Sequence, residues 1–247
     1  MKTPIISHPV VSLIREGIFP RGCALCGKAL RQKEAAFFGL CNSCRESLVI
    51  PEAERGRCSR CGQPLISEAV TCLSCRNGPE RSFDRVIPVF PYTGKYQKIL
   101  AAYKFGKFLS LGNFFVQEAL MKGLEFLQIS VPCWVPVPPR PGKIKNSGWD
   151  QIEYLAALLE KRRFPVRRCL RRLPSENQKK LNKEKRRENL KNRILVRNPG
   201  NGTFAVPKTA ILFDDVYTTG STIDACAAAL KSGGAEKVYG ICLCYDI

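Results

Sequence analysis

Between Ile211 and Thr222 the chain reads Ile-Leu-Phe-Asp-Asp-Val-Tyr-Thr-Thr-Gly-Ser-Thr: an apolar strand, two adjacent acids and a hydroxyl-rich turn. Asp214 and Asp215 can accept hydrogen bonds from sugar hydroxyls or hold a metal. Thr219, Ser221 and Thr222 each offer a hydroxyl, and Gly220 lets the backbone approach an anion closely. A turn of this composition at a helix N-terminus can wrap its N–H groups around a phosphate. Acids at a strand end alone are often a solvated turn. Joined to this turn and helix, they make a site for a phosphorylated sugar.

The cysteines carry a second chemistry. Of thirteen, eight stand as four Cys-x-x-Cys pairs: Cys23/Cys26, Cys41/Cys44, Cys58/Cys61 and Cys72/Cys75. Cys-x-x-Cys-Gly occurs twice, ending at Gly27 and Gly62, and a second pair follows each copy. A thiolate knuckle needs a residue of positive φ after its second cysteine, which glycine supplies. The repeat predicts a double zinc ribbon with two four-cysteine zinc sites, first pair with second and third with fourth. Spacing alone also allows an interleaved arrangement. Redox pairs would want a thioredoxin-like strand context, and iron–sulfur sites more often use other spacings. Such closed sites are structural: about 55 residues cannot easily bury a sufficient core, and zinc contributes about 10–16 kcal/mol per site. Cysteines in metal spacing fit a reducing, cytoplasmic setting. The single histidine, His8, excludes Ser-His-Asp triads and His-rich catalytic zinc.

The elements that must position the turn are legible around it. Ile223, Cys226, Ala227 and Leu230 fall at i, i+3, i+4 and i+7 and predict a helix, with Ser221 and Asp224 as a capping box at its start. Gly233-Gly234 ends it, and Lys237 to Cys244 reads as a buried strand. This order places the turn at the carboxyl end of a strand, where open α/β sheets bind ligands. Upstream, Val131 to Val137 reads as a strand ended by Pro138-Pro139. A loop with Arg140, Lys143 and Lys145 follows, then a helix from about Trp149 to Arg163 whose core face is Ile152, Leu155, Ala156 and Leu159. Phe83 to Phe90 and a helix around Phe114 to Leu127 complete an α/β pattern. Tyr103-Lys104-Phe105-Gly106 sets a cation between aromatics, as core packing or as a nucleotide contact. The 247 residues divide into a zinc-ribbon domain, 1–80, and an α/β domain, 81–247.

The formal charge is +19, or about +15 with eight zinc-bound thiolates and two zinc ions counted. Much of the excess lies between Lys161 and Arg197, with sixteen Lys or Arg against three Glu. A charge run is usually a solvated face. At this density it favours an anionic partner, with Arg171, Arg172, Lys179, Lys180, Arg186 and Arg187 as candidate nucleic-acid contacts. No stretch nears ~18 apolar residues and the N-terminus lacks a continuous apolar segment, so neither a membrane span nor secretion is expected.

The stretch from Asp214 to Thr222 resembles the phosphoribosyl pyrophosphate (PRPP) signature of type I phosphoribosyltransferases. That resemblance implies a parallel sheet flanked by helices. Asp214 and Asp215 would be the catalytic acids on the ribose 2- and 3-hydroxyls, with Thr218 to Thr222 cradling the 5-phosphate and Val216 and Tyr217 completing the site. Pyrophosphate would leave with Mg²⁺, near Arg140, Lys143 and Lys145. Hypoxanthine-guanine enzymes of this class carry a third acid where this chain has Thr218, which argues against purine salvage.

Over most of its length the chain is similar to the ComF family of bacterial DNA uptake. The resemblance rests on the cysteine ribbon, Lys104-Phe105-Gly106, Val135-Pro136-Val137-Pro138 and Ser147-Gly148-Trp149-Asp150-Gln151. It extends through Gln178, Leu181, Arg186-Arg187 and Asn189-Leu190 to the Asp214 turn. Ser147 departs from the family's usual Arg, and Lys143 and Lys145 would have to substitute without a bidentate fork. The resemblance implies a PRPP-binding protein acting in competence, with single-stranded DNA and a DNA-uptake helicase or other competence proteins as partners. The alternative is an active phosphoribosyltransferase of nucleotide metabolism with an unidentified acceptor.

Overall fold

The computed structural model describes residues 22–30, 33–48, 56–129, 133–174, 193–197 and 205–246. Three short helices, α1 (Lys33–Phe38), α2 (Asn42–Glu46) and α3 (Leu73–Arg76), belong to the cysteine-rich part. Strand β1 (Arg85–Pro91) leads into α4 (Gly94–Lys104). Then comes one long helical run, α5 (Leu111–Phe115), a π-helical stretch (Val116–Met121) and α6 (Lys122–Leu127). β2 (Trp134–Pro136), α7 (Lys143–Ser147) and α8 (Gln151–Lys161) follow, and β3 (Leu170–Arg172) pairs antiparallel with β4 (Ile194–Val196). The chain closes with β5 (Thr209–Tyr217), α9 (Ser221–Ser232) and β6 (Lys237–Tyr245).

The main sheet has the order β1-β6-β5-β2, every pair parallel. A parallel sheet is covered on both faces, and its strands read as nearly unbroken apolar runs. Ile211 and Phe213 of β5 join a core with Trp134, Leu155, Ala156 and Leu159. Ala210 and Leu212, their sequence neighbours, join the opposite core with Ile223, Cys226, Ala227 and Leu230. This is the period-2 alternation of a strand dividing its side chains between two layers. The apolar stripes expected on α8 and α9 are the buried ones. Asp150 starts α8 by accepting from the Ile152 and Glu153 N–H groups at 2.9 and 3.0 Å, an N-cap.

The capping box expected at α9 does not form. Its N-cap is Gly220, at φ +73°, and the Asp224 side chain points elsewhere. Asp224 is fully buried and accepts from the Ser82 N–H at 2.7 Å, a long-range bond that outcompetes the local one. Among the described residues, no helix is long and apolar enough to cross a membrane.

Candidate functional site

The eight paired cysteines form two groups of four. Cys23, Cys26, Cys41 and Cys44 converge, as do Cys58, Cys61, Cys72 and Cys75, with sulfurs in each group within 4.8 Å of one another. The pairing is therefore sequential, not interleaved. Zn–S bonds of about 2.3 Å in a tetrahedron require sulfurs about 3.8 Å apart. Cys26 and Cys41 stand at 3.8 Å, and Cys61 and Cys72 at 3.7 Å, so the residues fit zinc. Both knuckles are built alike. Gly27 and Gly62 take φ +75° and +68°, and their N–H groups bond the Cys23 and Cys58 carbonyls. Burial alone would raise the Cys23 and Cys58 thiols, but hydrogen bonds from surrounding backbone groups bring each down to about 7, toward the thiolate a metal needs.

The second group differs in its surroundings. A Cβ on Gly62 would stand 2.3 Å from the Val86 carbonyl oxygen of β1, whereas one on Gly27 would meet nothing. Val86 N–H bonds the Arg60 carbonyl, and Arg57 donates to the carbonyls of both Gly62 and Pro88. Cys58, Cys61 and Cys75 share one apolar core with Tyr217 and Ile223. The second knuckle is thus fixed to the sheet and shares its core with Tyr217, at the base of the Thr218–Thr222 turn.

A cleft of about 570 Å³ opens at the carboxyl ends of β5 and β2. It gathers Asp214, Asp215 and Thr222 with four cations, Lys104, Arg140, Lys143 and Arg172. The parallel pairing of β2 with β5 brings the Arg140 loop beside the acids.

The two acids are not equivalent. Asp215 is 8% exposed and its Oδ2 is held by Lys104 Nζ at 2.6 Å and Gln151 Nε2 at 2.7 Å. Asp214 is half-buried, and its Oδ1 accepts the Asp215 N–H at 2.8 Å. Desolvation, reinforced by the neighbouring Asp215 charge, raises the Asp214 carboxyl to about 8. Asp215 is held by internal partners, whereas Asp214 makes no ion pair among the described residues.

The cations divide in the same way. Lys143 pairs with Asp150 Oδ2 at 2.5 Å and also donates to Gln151 Oε1, so its charge is already matched. Lys145 is exposed on α7 and does not line the cleft. Arg140 and Arg172 line it with no ion pair among the described residues; burial, then the Arg140 charge, lowers the Arg172 pKa. The basic run suggests a nucleic-acid face for Arg172, but its position is the cleft wall. Arg171 beside it is exposed and does not line the cleft. Lys179, Lys180, Arg186 and Arg187 lie outside the described residues.

Within the turn, Val216 and Thr222 line the cleft, and Thr218 and Thr219 are exposed. Thr219 and Ser221 share a hydroxyl–hydroxyl bond of 2.8 Å. Tyr217 is 4% exposed, so its side chain is core and only its backbone remains for a ligand. A Cβ on Gly220 would lie 2.4 Å from the Tyr217 hydroxyl, so glycine is required there for space as well as for its φ.

Two contributors escape sequence reasoning. Gln151 bridges Lys143 to Asp215, while Tyr103 Oη donates to its backbone carbonyl at 2.7 Å. Arg81 reaches the Thr219 carbonyl at 3.1 Å. Gln151 stands in the Ser147–Gln151 segment that carries part of the family resemblance, but the role of neither residue is local: Gln151 reaches Asp215 and Arg81 reaches Thr219, both far along the chain.

A family model for a double zinc ribbon domain matches residues 14–76. The competence protein ComFC of Bacillus subtilis is 28% identical over 236 residues, covering 90% of this chain and 94% of that one. ComFC of Streptococcus pneumoniae is 27% identical over 233 residues, 87% of this chain and 96% of its own. The DNA utilization protein YhgH of Salmonella typhimurium is 26% identical over 238 residues, 91% and 97%.

Proposed function

For this chain, a homologue of the ComFC and YhgH proteins with an N-terminal double zinc ribbon, we propose that the cleft binds PRPP with Mg²⁺ and that the protein serves DNA uptake or utilization, handling single-stranded DNA. One observation carries the ligand reading. A half-buried acid and two guanidinium groups, none of them in an ion pair among the described residues, share one cleft with a hydroxyl turn at a helix N-terminus, at the end of a parallel sheet.

Each part has a task. Asp214 accepts from the ribose hydroxyls, and Asp215, held by Lys104 and Gln151, keeps its neighbour in place. The N–H groups at the start of α9 take the 5-phosphate. Arg140 and Arg172 face the pyrophosphate, where bidentate guanidinium contacts suit phosphate oxygens. Mg²⁺ supplies charge neutralisation across the phosphate oxygens. The residues act by positioning and charge stabilisation. The names of the relatives support the DNA role.

The second reading is catalysis, transfer of the ribosyl phosphate to an unidentified acceptor. Pyrophosphate release from PRPP and Mg²⁺ in the presence of candidate nucleobases separates the two. Release makes the protein a transferase; binding without release leaves it a ligand-responsive module. Absence of PRPP binding in calorimetry rejects both.

A further inference from the structure

We infer that the mouth of the cleft is the contact for single-stranded nucleic acid, with Phe105 as the platform on which one base stacks. This deepens the DNA half of the function proposed above and names its surface.

Tyr103 and Phe105 lie two residues apart at the end of α4 and meet opposite fates. Tyr103 is fully buried with its hydroxyl bonded to Gln151, whereas Phe105 is 74% exposed. Core packing therefore accounts for the first aromatic and not for the second. The Phe105 ring is no remote surface feature. Lys104 Nζ lies 5.8 Å from its centre and 2.6 Å from Asp215 Oδ2, so one ammonium joins the ring to the floor of the cleft.

The adjoining surface is cationic. Lys107, in a left-handed conformation at φ +51°, donates to the Ser147 carbonyl at 2.9 Å and draws this segment against α7. On α7 and its approach, Ile144, Lys145 and Arg140 are exposed. Of the nearby carboxylates, Asp215 is spent on Lys104 and Asp150 on Lys143, which leaves Asp214 as the open acid, inside the cleft. Lys107, Lys145 and Arg140 make no ion pair among the described residues.

An exposed aromatic ring amid uncompensated cations matches the two faces of a single strand, a base to stack and phosphates to neutralise. A protein partner of ordinary kind would want a broader apolar patch than one ring and Ile144. The charge complementarity favours nucleic acid.

The test is a fluorescence-anisotropy titration of the full-length, zinc-loaded protein with labelled oligothymidylate at several salt concentrations. Phe105→Ala should bind about tenfold more weakly or worse, with an unchanged salt slope. Phe105→Trp should bind as the wild type does. Lys145→Ala should keep the stacking and lower the slope of log K against log salt by about 0.7. PRPP affinity and thermal unfolding should be unmoved in Phe105→Ala. Wild-type DNA affinity in Phe105→Ala overturns the inference and leaves the ring to a protein partner. Equal loss of DNA and PRPP affinity also overturns it, by making the ring part of the sugar site. No DNA binding by the wild type rejects the parent DNA reading itself, an outcome distinct from the other two.

Discussion

Arg81 donates through Nη2 to the carbonyl oxygen of Thr219 across 3.1 Å, joining the segment that leaves the second four-cysteine group to the turn that opens α9. Its side chain is 10% exposed, 3.9 Å from the Asp224 carboxylate, and its Nε and Nη1 have no hydrogen-bond partner among the described residues. A buried guanidinium with so few partners is costly to retain unless its charge and its bond to the turn are used. Arg81→Gln should weaken ribose 5-phosphate binding about tenfold, the worth of one charge-assisted hydrogen bond. Magnesium pyrophosphate binding should stay unchanged. Calorimetric titration of the two ligands separately reads the difference.

The two four-cysteine groups should not be equivalent in their reach. Cys61 is buried in the core that holds Tyr217 under Gly220, whereas Cys26 is exposed. Each single Cys→Ser variant should lose one of two zinc ions, measured by release to a chromogenic chelator. Cys61→Ser should also lower the melting temperature and PRPP affinity more than Cys26→Ser does. Equal effects on PRPP affinity would mean that the second knuckle does not support the turn.

Asp214 sets a pH dependence of definite sign. Its carboxyl is raised to about 8 in the fold, so the folded chain holds this proton more tightly than the unfolded chain. Its contribution to stability is therefore full below the ordinary carboxylate range and falls as pH rises from about 4 toward 8. Urea unfolding across that interval should show this loss, and Asp214→Asn should remove that part of the slope. Sugar binding runs the other way. Ribose hydroxyls donate, so affinity should climb as Asp214 ionises.

What can be read from the sequence is local. The cysteine repeat, the αL glycines behind each knuckle, and the strand, turn, helix and strand from Ile211 onward all depend on residues within a few positions of one another. The core faces of α8 and α9 are legible for the same reason. Reading fails where a distant residue intervenes. Asp224 leaves its own helix cap for Ser82 and Asp215 is taken by Lys104, while Lys143 is taken nearer by, across the turn to Asp150 and Gln151. Arg172, one of many cations in a basic run, gives no sign that it turns into the cleft. Where α7 forms, the sequence suggests only a loop, because nothing in Lys143 to Ser147 has helical periodicity.

The central claim is that the cleft grips PRPP through the acids at the end of β5. Calorimetric titration of PRPP with Mg²⁺ into the wild type and into Asp214→Ala/Asp215→Ala, both checked for zinc content and thermal unfolding, tests it most directly. Binding by the wild type and none by a folded double variant is the predicted result. Unchanged affinity in the double variant would contradict it.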